Sequence, residues 1–131
     1  MLNGYIKDDQ PIIPILVTWK WRVRPIVALV DTGFTGELKI TPETAQALGL
    51  VATHVRKVSF GDSRTAILSS ALAFVSMEGI RKSVTVLIGE GHEVIGVRLL
   101  RNFGYSLLMD FEADSFILQK FPREYVAELE G

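Results

Sequence analysis

An aspartate, a threonine and a glycine, Asp31-Thr32-Gly33, follow an almost continuous apolar run from Ile26 to Val30. The run predicts a strand in the core, and a carboxylate at its end is costly to bury unless it has a partner. Two explanations stay open at this point. Asp31 either opens a turn, because turns favour aspartate and glycine, or the strand delivers the carboxylate to a site that uses it.

A second apolar segment that ends in a glycine, Val94-Ile95-Gly96, places that glycine 65 residues after Asp31. Behind it, Leu99, Leu100 and Phe103 have helical spacing and predict a short helix. The Asp-Thr-Gly triplet alone is weak evidence for any function. The triplet and the later glycine segment in this order are a more specific signal.

The two motifs resemble those of the retropepsin-like aspartic proteases, the single-domain relatives of retroviral protease. The resemblance spans residues 23–118. It implies that three residues form the catalytic loop: Asp31, Thr32 and Gly33. It also implies that four residues support this loop from beneath: Ile95, Gly96, Leu99 and Leu100. The sequence departs from the viral pattern at Phe34 and Thr35, where viral enzymes carry a small and then an acidic residue.

An aspartic protease needs two carboxylates so close that they cannot both ionise, and the pair therefore shares one proton. One carboxylate acts as a general base on a bound water, and the protonated one polarises the scissile carbonyl. This chain has one triplet. The resemblance therefore implies a homodimer in which Asp31 of each subunit meets its copy on a two-fold axis. It also implies that the Thr32 hydroxyl hydrogen-bonds to the other catalytic loop.

The segment from Val58 to Leu68 predicts a hairpin whose turn has the composition Gly-Asp-Ser. By resemblance, this hairpin is a flap over the cleft, and its substrate-binding residues are Phe60, Gly61, Asp62 and Ser63. A plain hairpin without a binding role explains the same turn residues equally well. In the flap interpretation, a peptide lies extended between the flap and the aspartates.

Most of the elements that must position these residues are predicted strands. The clearest helix signal is Thr41 as the N-cap, Pro42 at the first helical position and Gly49 after the end. The pattern predicts a mainly β fold with one or two short helices and barrel-like turn spacing, and the resemblance implies a closed acid-protease-type β-barrel with one lobe per chain. Residues 1–131 form a single predicted domain, with a core over about residues 12–120 and a C-terminal tail over 121–131.

Composition and charge narrow the possible partners. Fourteen basic and fifteen acidic residues leave a net charge of −1, which offers no electrostatic basis for binding nucleic acid or a membrane. The chain has no cysteine and two scattered histidines, so we predict no metal and no cofactor. No apolar run approaches the ~18 residues of a membrane span. The N-terminus lacks the pattern of a signal peptide, and the predicted location is cytoplasmic.

We interpret the chain as an aspartic endopeptidase that acts as a homodimer on a peptide or protein substrate. Two alternatives stay open. A dimer of the same fold could bind a peptide or protein partner without cleaving it, because a fold does not fix a function. An unrelated small β-barrel could carry the triplet by chance, and Asp31 would then lie on the surface near no other carboxylate.

Overall fold

The computed structural model describes residues 1–120. Ten strands and two helices follow one another in this order: β1 (Leu2–Lys7), β2 (Gln10–Trp19), β3 (Arg22–Val30), β4 (Leu38–Ile40), α1 (Pro42–Leu48), β5 (His54–Ser59), β6 (Thr65–Met77), β7 (Ile80–Ile88), β8 (Val94–Ile95), α2 (Val97–Phe103), β9 (Ser106–Asp110) and β10 (Ser115–Gln119). The predicted tail, residues 121–131, lies outside the described residues. The single-domain assignment stays a prediction.

All ten strands belong to one sheet, in the order β5-β6-β7-β4-β8-β3-β2-β1-β10-β9. An additional antiparallel pairing joins β2 to β6. Each strand from β6 through β7, β4, β8 and β3 to β2 is thus paired with the next, and β2 pairs back with β6. The prediction of a mainly β fold with short helices is confirmed. The finer prediction, a closed barrel, stays a prediction.

The core lies on one face of β3. Ile26, Ala28 and Val30 are buried, whereas Val27 between them is 54% exposed. In the sheet, β3 lies between β8 and β2, as an interior strand should. Side chains alternate between the two faces along a strand, and only one face of β3 is fully buried. The apolar run from Ile26 to Val30 therefore reflects the interior position of β3 in the sheet and not burial of both faces.

Helix α1 begins and ends where the sequence predicts, and the short helix predicted from Leu99, Leu100 and Phe103 is α2. The Thr41 side chain caps α1 by accepting a hydrogen bond from the Thr44 N–H, and Gly49 after its end has a φ of 71°. Gly104 ends α2 with a φ of 74°. Left-handed φ values of this kind favour glycine. Neither helix in residues 1–120 is long and apolar enough to span a membrane.

Strand β1 was not predicted. It pairs with both β2 and β10, so the first residues of the chain are part of the sheet. The turn that joins it to β2 is Asp8-Asp9, with φ values of 53° and 62°. Hairpin turns with two positive φ values usually carry Asn-Gly or Asp-Gly. Without that glycine, the segment carries little sequence signal for a hairpin.

Candidate active site

Asp31 is positioned by the parallel pairing of β3 with β8. Leu29 and Val30 lie opposite Val94 and Ile95, and the Asp31 N–H donates to the Ile95 carbonyl at 2.9 Å. The chain then turns, because the Phe34 N–H donates back to the Asp31 carbonyl at 3.1 Å. The two sequence motifs are thus joined by main-chain hydrogen bonds at the start of the Asp-Thr-Gly loop.

The Asp31 carboxylate is half-buried, and its Oδ1 accepts a hydrogen bond from the Gly33 N–H at 2.9 Å. No other hydrogen bond reaches this carboxylate from residues 1–120, and no second carboxylate of that range is bonded to it. Thr32 and Gly33 beside it are exposed. One chain therefore presents one carboxylate and an uncovered threonine.

Gly96 packs against the main chain that follows the triplet. Its N–H donates to the Glu37 carbonyl at 3.0 Å. A Cβ built on Gly96 would overlap the Gly36 carbonyl oxygen and lie 2.7 Å from that of Phe34. No side chain fits here, which explains the glycine physically. Leu99 and Leu100, on the helix that follows, are 0% and 7% exposed and belong to the main core.

The residues predicted to form a flap lie in the loop between β5 and β6, and this loop reaches Asp31. A Cβ built on Gly61 would lie 2.9 Å from Asp31 Oδ1, and one built on Gly33 would overlap the Gly61 Cα. Two glycines in direct main-chain contact therefore bring the loop onto the carboxylate. The role of the loop as a flap stays a prediction.

Two residues that the sequence analysis gave no role join this loop to the Asp-Thr-Gly loop. Thr35 and Ser59 exchange two hydrogen bonds, one from the Thr35 N–H to the Ser59 carbonyl and one from the Ser59 N–H to Thr35 Oγ1, both 3.0 Å. The rings of Phe34 and Phe60 stack with their centroids 5.3 Å apart. In the sequence, these contacts were indicated only by the aromatic residue directly after the triplet, Phe34.

The tip of the loop is held by its own hydrogen bonds. Asp62 accepts a hydrogen bond from the Arg64 N–H at 3.1 Å and forms an ion pair with the Arg64 guanidinium. The hydrogen bond from the Arg64 main chain, more than the guanidinium, holds the pKa of Asp62 below its usual value. Ser63 has a φ of 69°. Asp62 and Ser63 are exposed and shape the turn.

Asp31 lies in the wall of a cavity of 740 Å³. Other walls come from the start of β2, from the loop at Gly61 and from residues 89–92. Its size is that of a site for a small molecule or a peptide segment. The Asp62 and Glu90 residues also line it. Asp31 is therefore half-buried in the wall of a cavity that Asp62 and Glu90 also line.

The cavity also contains Lys39, which the sequence analysis did not select. Lys39 lies on β4 and is only 4% exposed. Burial lowers the pKa of its ammonium, and the carboxylates of Glu93 and Glu90 act in the opposite direction. The sequence does contain an indication of this site. Lys39 is a single lysine between Leu38 and Ile40, in a strand with no other polar residue. In residues 1–120, no group of three or more His, Cys, Asp or Glu residues could hold a metal ion.

A solved structure resembles this chain. It is the crystal structure of a retropepsin-like aspartic protease from Rickettsia conorii, with a TM-score of 0.63 and 23% sequence identity over 91% of this chain and 89% of that one. At this identity the likeness shows the fold, and the fold is retropepsin-like. A scan against family models and a search of curated proteins give no match.

Proposed function

We propose that this chain is an aspartic endopeptidase that works as a homodimer, with Asp31 of each subunit forming the catalytic pair. The observation that carries the proposal is the Asp31 carboxylate, fixed by the Gly33 N–H in the wall of a peptide-sized cavity of a retropepsin-like fold. The exposed Thr32 and Gly33 support it, because they leave the neighbourhood of Asp31 open to a second subunit. The proposal includes the closed barrel and the cytoplasmic location predicted from the sequence.

In the proposed reaction, one Asp31 is ionised and the other carries a proton. The ionised carboxylate takes a proton from a water molecule as the water oxygen bonds to the scissile carbonyl carbon. The other carboxyl donates its proton to the carbonyl oxygen, which gives a neutral tetrahedral diol. When the diol collapses, the C–N bond breaks, the amine nitrogen takes the proton acquired from water, and the hydroxyl proton returns to the second aspartate. The products are a carboxylic acid and an amine, and the pair regains its single proton.

The loop at residues 60–64 has a direct part in this proposal. Gly61 lies against Asp31 and leaves no space for a peptide between them, so the loop must move away before the substrate enters. Substrate and loop would then pair through their main chains, and the side-chain pockets would set the preference. The turn at Asp62 and Ser63 is exposed and is held by hydrogen bonds within the loop, so it would move away as one piece.

A second candidate function is a dimer that binds a peptide or protein partner without cleaving it. The position of Gly61 favours this candidate, because a Cβ built on Gly61 would lie 2.9 Å from Asp31 Oδ1, and the loop leaves little room beside that oxygen. The two candidates differ in one respect. The endopeptidase loses its activity with Asp31, whereas the binding protein keeps its affinity.

The test is cleavage of a diverse peptide library, across pH ~3 to 7, by the wild type and by Asp31→Asn. Asp114→Asn is a matched control, because it makes the same chemical change in the exposed turn between β9 and β10. The endopeptidase proposal predicts cleavage by wild type and control and none by Asp31→Asn. Equal cleavage by all three proteins contradicts it. Peptide binding without cleavage, kept by Asp31→Asn, would establish the second candidate.

A further inference from the structure

We propose that Lys39 gives the cleft a preference for a peptide with an acidic side chain, whose carboxylate binds the Lys39 ammonium. This inference rests on the proposed function only in taking the cavity beside Asp31 as the place where a peptide binds. It concerns binding as well as cleavage. It can therefore be tested separately from the hydrolysis.

The position of Lys39 in a buried strand is unusual for a lysine. Leu38 and Ile40, its neighbours on β4, are 0% exposed and belong to the main core. Because side chains alternate along a strand, Lys39 lies on the opposite face, where it lines the same cavity as Asp31. A lysine is almost never fully buried unless its charge is compensated. The buried Lys39 ammonium therefore needs hydrogen-bond acceptors or a negative charge beside it.

The described residues satisfy only part of this ammonium. Lys39 Nζ donates to the Glu90 carbonyl at 2.6 Å and to the Gly89 carbonyl at 3.4 Å. An ammonium has three donors, so one remains without an acceptor in residues 1–120. Neither of the ion pairs found there includes Lys39. The Glu93 carboxylate accepts instead from the Thr41 N–H at 3.3 Å.

The loop over Lys39 has glycines at two positions close to its side chain. A Cβ built on Gly91 would lie 3.7 Å from Lys39 Nζ, and one built on Gly89 would lie 3.5 Å from its Cδ. Both positions are glycines, so no side chain at either of them covers the ammonium. Gly89, Glu90 and Gly91 all line the cavity together with Lys39. A carboxylate in the cavity would thus meet a cation with a free donor.

Arg64 is the other strong cation of the cavity, and it is a weaker candidate. Its guanidinium forms an ion pair with Asp62, and its side chain is 77% exposed. Its charge is therefore both balanced and screened by solvent. A carboxylate gains more from the buried Lys39, which has no ion pair in residues 1–120, because a charge-assisted hydrogen bond is stronger where water is excluded.

The experiment compares pairs of peptides that differ only by Glu or Gln, at each position around the cleaved bond. At one position we expect the wild type to favour Glu over Gln by about tenfold or more in kcat/KM, the effect of a charged hydrogen bond. Lys39→Met should reduce that ratio to about one, mainly by slowing cleavage of the Glu peptide. Lys39→Arg should keep the preference, because it retains the charge. Lys39→Gln serves in place of Lys39→Met if the latter does not fold.

Lys82→Met is the matched control. Lys82 Nζ also donates to a main-chain carbonyl, that of Asn102 at 2.7 Å, but Lys82 does not line the cavity. Its loss should leave the Glu preference unchanged. A purely structural role of Lys39 would instead lower cleavage of both peptides equally in Lys39→Met, and this result would overturn the inference.

Binding of the same peptides to Asp31→Asn separates the inference from the proposed hydrolysis. If the wild type cleaves nothing, the proposed function fails. A tenfold tighter binding of the Glu peptide, lost when Lys39→Met is combined with Asp31→Asn, would still support the role of Lys39. Absence of a Glu preference at every position, or failure to bind either peptide, would overturn it.

Discussion

Residues 31–36 and residues 60–64 meet at the Asp31 carboxylate, but the first loop is built into the core and the second lies mostly in solvent. In the first, Phe34 is 2% exposed and Asp31 is hydrogen-bonded to the strand β8. In the second, the residues from Gly61 to Arg64 are exposed, and the contacts to the first loop lie at Ser59 and Phe60. The carboxylate thus lies on the loop with the buried phenylalanine, and its cover lies on the more exposed loop.

This difference matters for catalysis because a catalytic group has to be held in place while its substrate enters. Core packing and main-chain hydrogen bonds position Asp31 before a peptide arrives, which is the preorganisation that catalysis requires. The loop over it needs enough contacts to close, but few enough to open. Three pairs of substitutions test whether the two loops differ in this way.

The largest expected effect comes from the two stacked phenylalanines. Phe34→Ala should lower the free energy of unfolding by about 3–5 kcal/mol, because it removes a buried ring and leaves a cavity. Phe60→Ala removes the partly buried ring on the other loop and should cost about 1 kcal/mol. Urea denaturation of both variants measures the two values. Equal losses would show that the two loops are equally integrated into the core.

The next effect concerns the support beneath the first loop. A Cβ at Gly96 would overlap main-chain atoms that cannot turn aside, so Gly96→Ala should destabilise the protein by about 3 kcal/mol. Gly104→Ala is the control, since a Cβ built there would meet no atom of residues 1–120 within 4 Å, but the residue has a φ of 74°. Its cost should be the strain of a left-handed alanine, about 1–2 kcal/mol. A Gly96→Ala variant as stable as Gly104→Ala would argue against tight support.

The smallest effect concerns the hydrogen bonds between the two loops. Thr35→Val removes the acceptor for the Ser59 N–H and should cost about 1 kcal/mol, while Thr35→Ser keeps the hydroxyl and should cost less. Hydrogen exchange should be faster at residues 60–64 in the valine variant and unchanged near Asp31. Faster exchange at both loops would mean that they open as one unit.

Part of this molecule could be predicted from its sequence because the signals were local. The cap at Thr41, the glycine that ends α1 and the leucines of α2 each depend on near neighbours in the chain. The triplet and the second motif were found by resemblance, and their main-chain contacts join residues far apart in sequence. The solved retropepsin-like structure supports the fold that the resemblance implied.

The contacts that hold the loop over Asp31 could not be predicted. Thr35 meets Ser59, and Phe34 meets Phe60, only because the folded chain brings the residues after the triplet against the loop between β5 and β6. The same is true of Lys39, whose neighbours Gly89 and Glu90 are about fifty residues away. These contacts depend on tertiary packing, and a pattern of residue types along the chain does not predict which distant residues pack together.

The most direct test of the central claim is a mixing experiment with wild type and Asp31→Asn. Equal amounts are unfolded together, refolded, and assayed for cleavage of one peptide. If each active site needs Asp31 from two subunits, random pairing leaves about one quarter of the dimers with both aspartates. The activity should then be about a quarter of that of the same total amount of wild type. A value of about one half would contradict the account, because each wild-type chain would then act by itself.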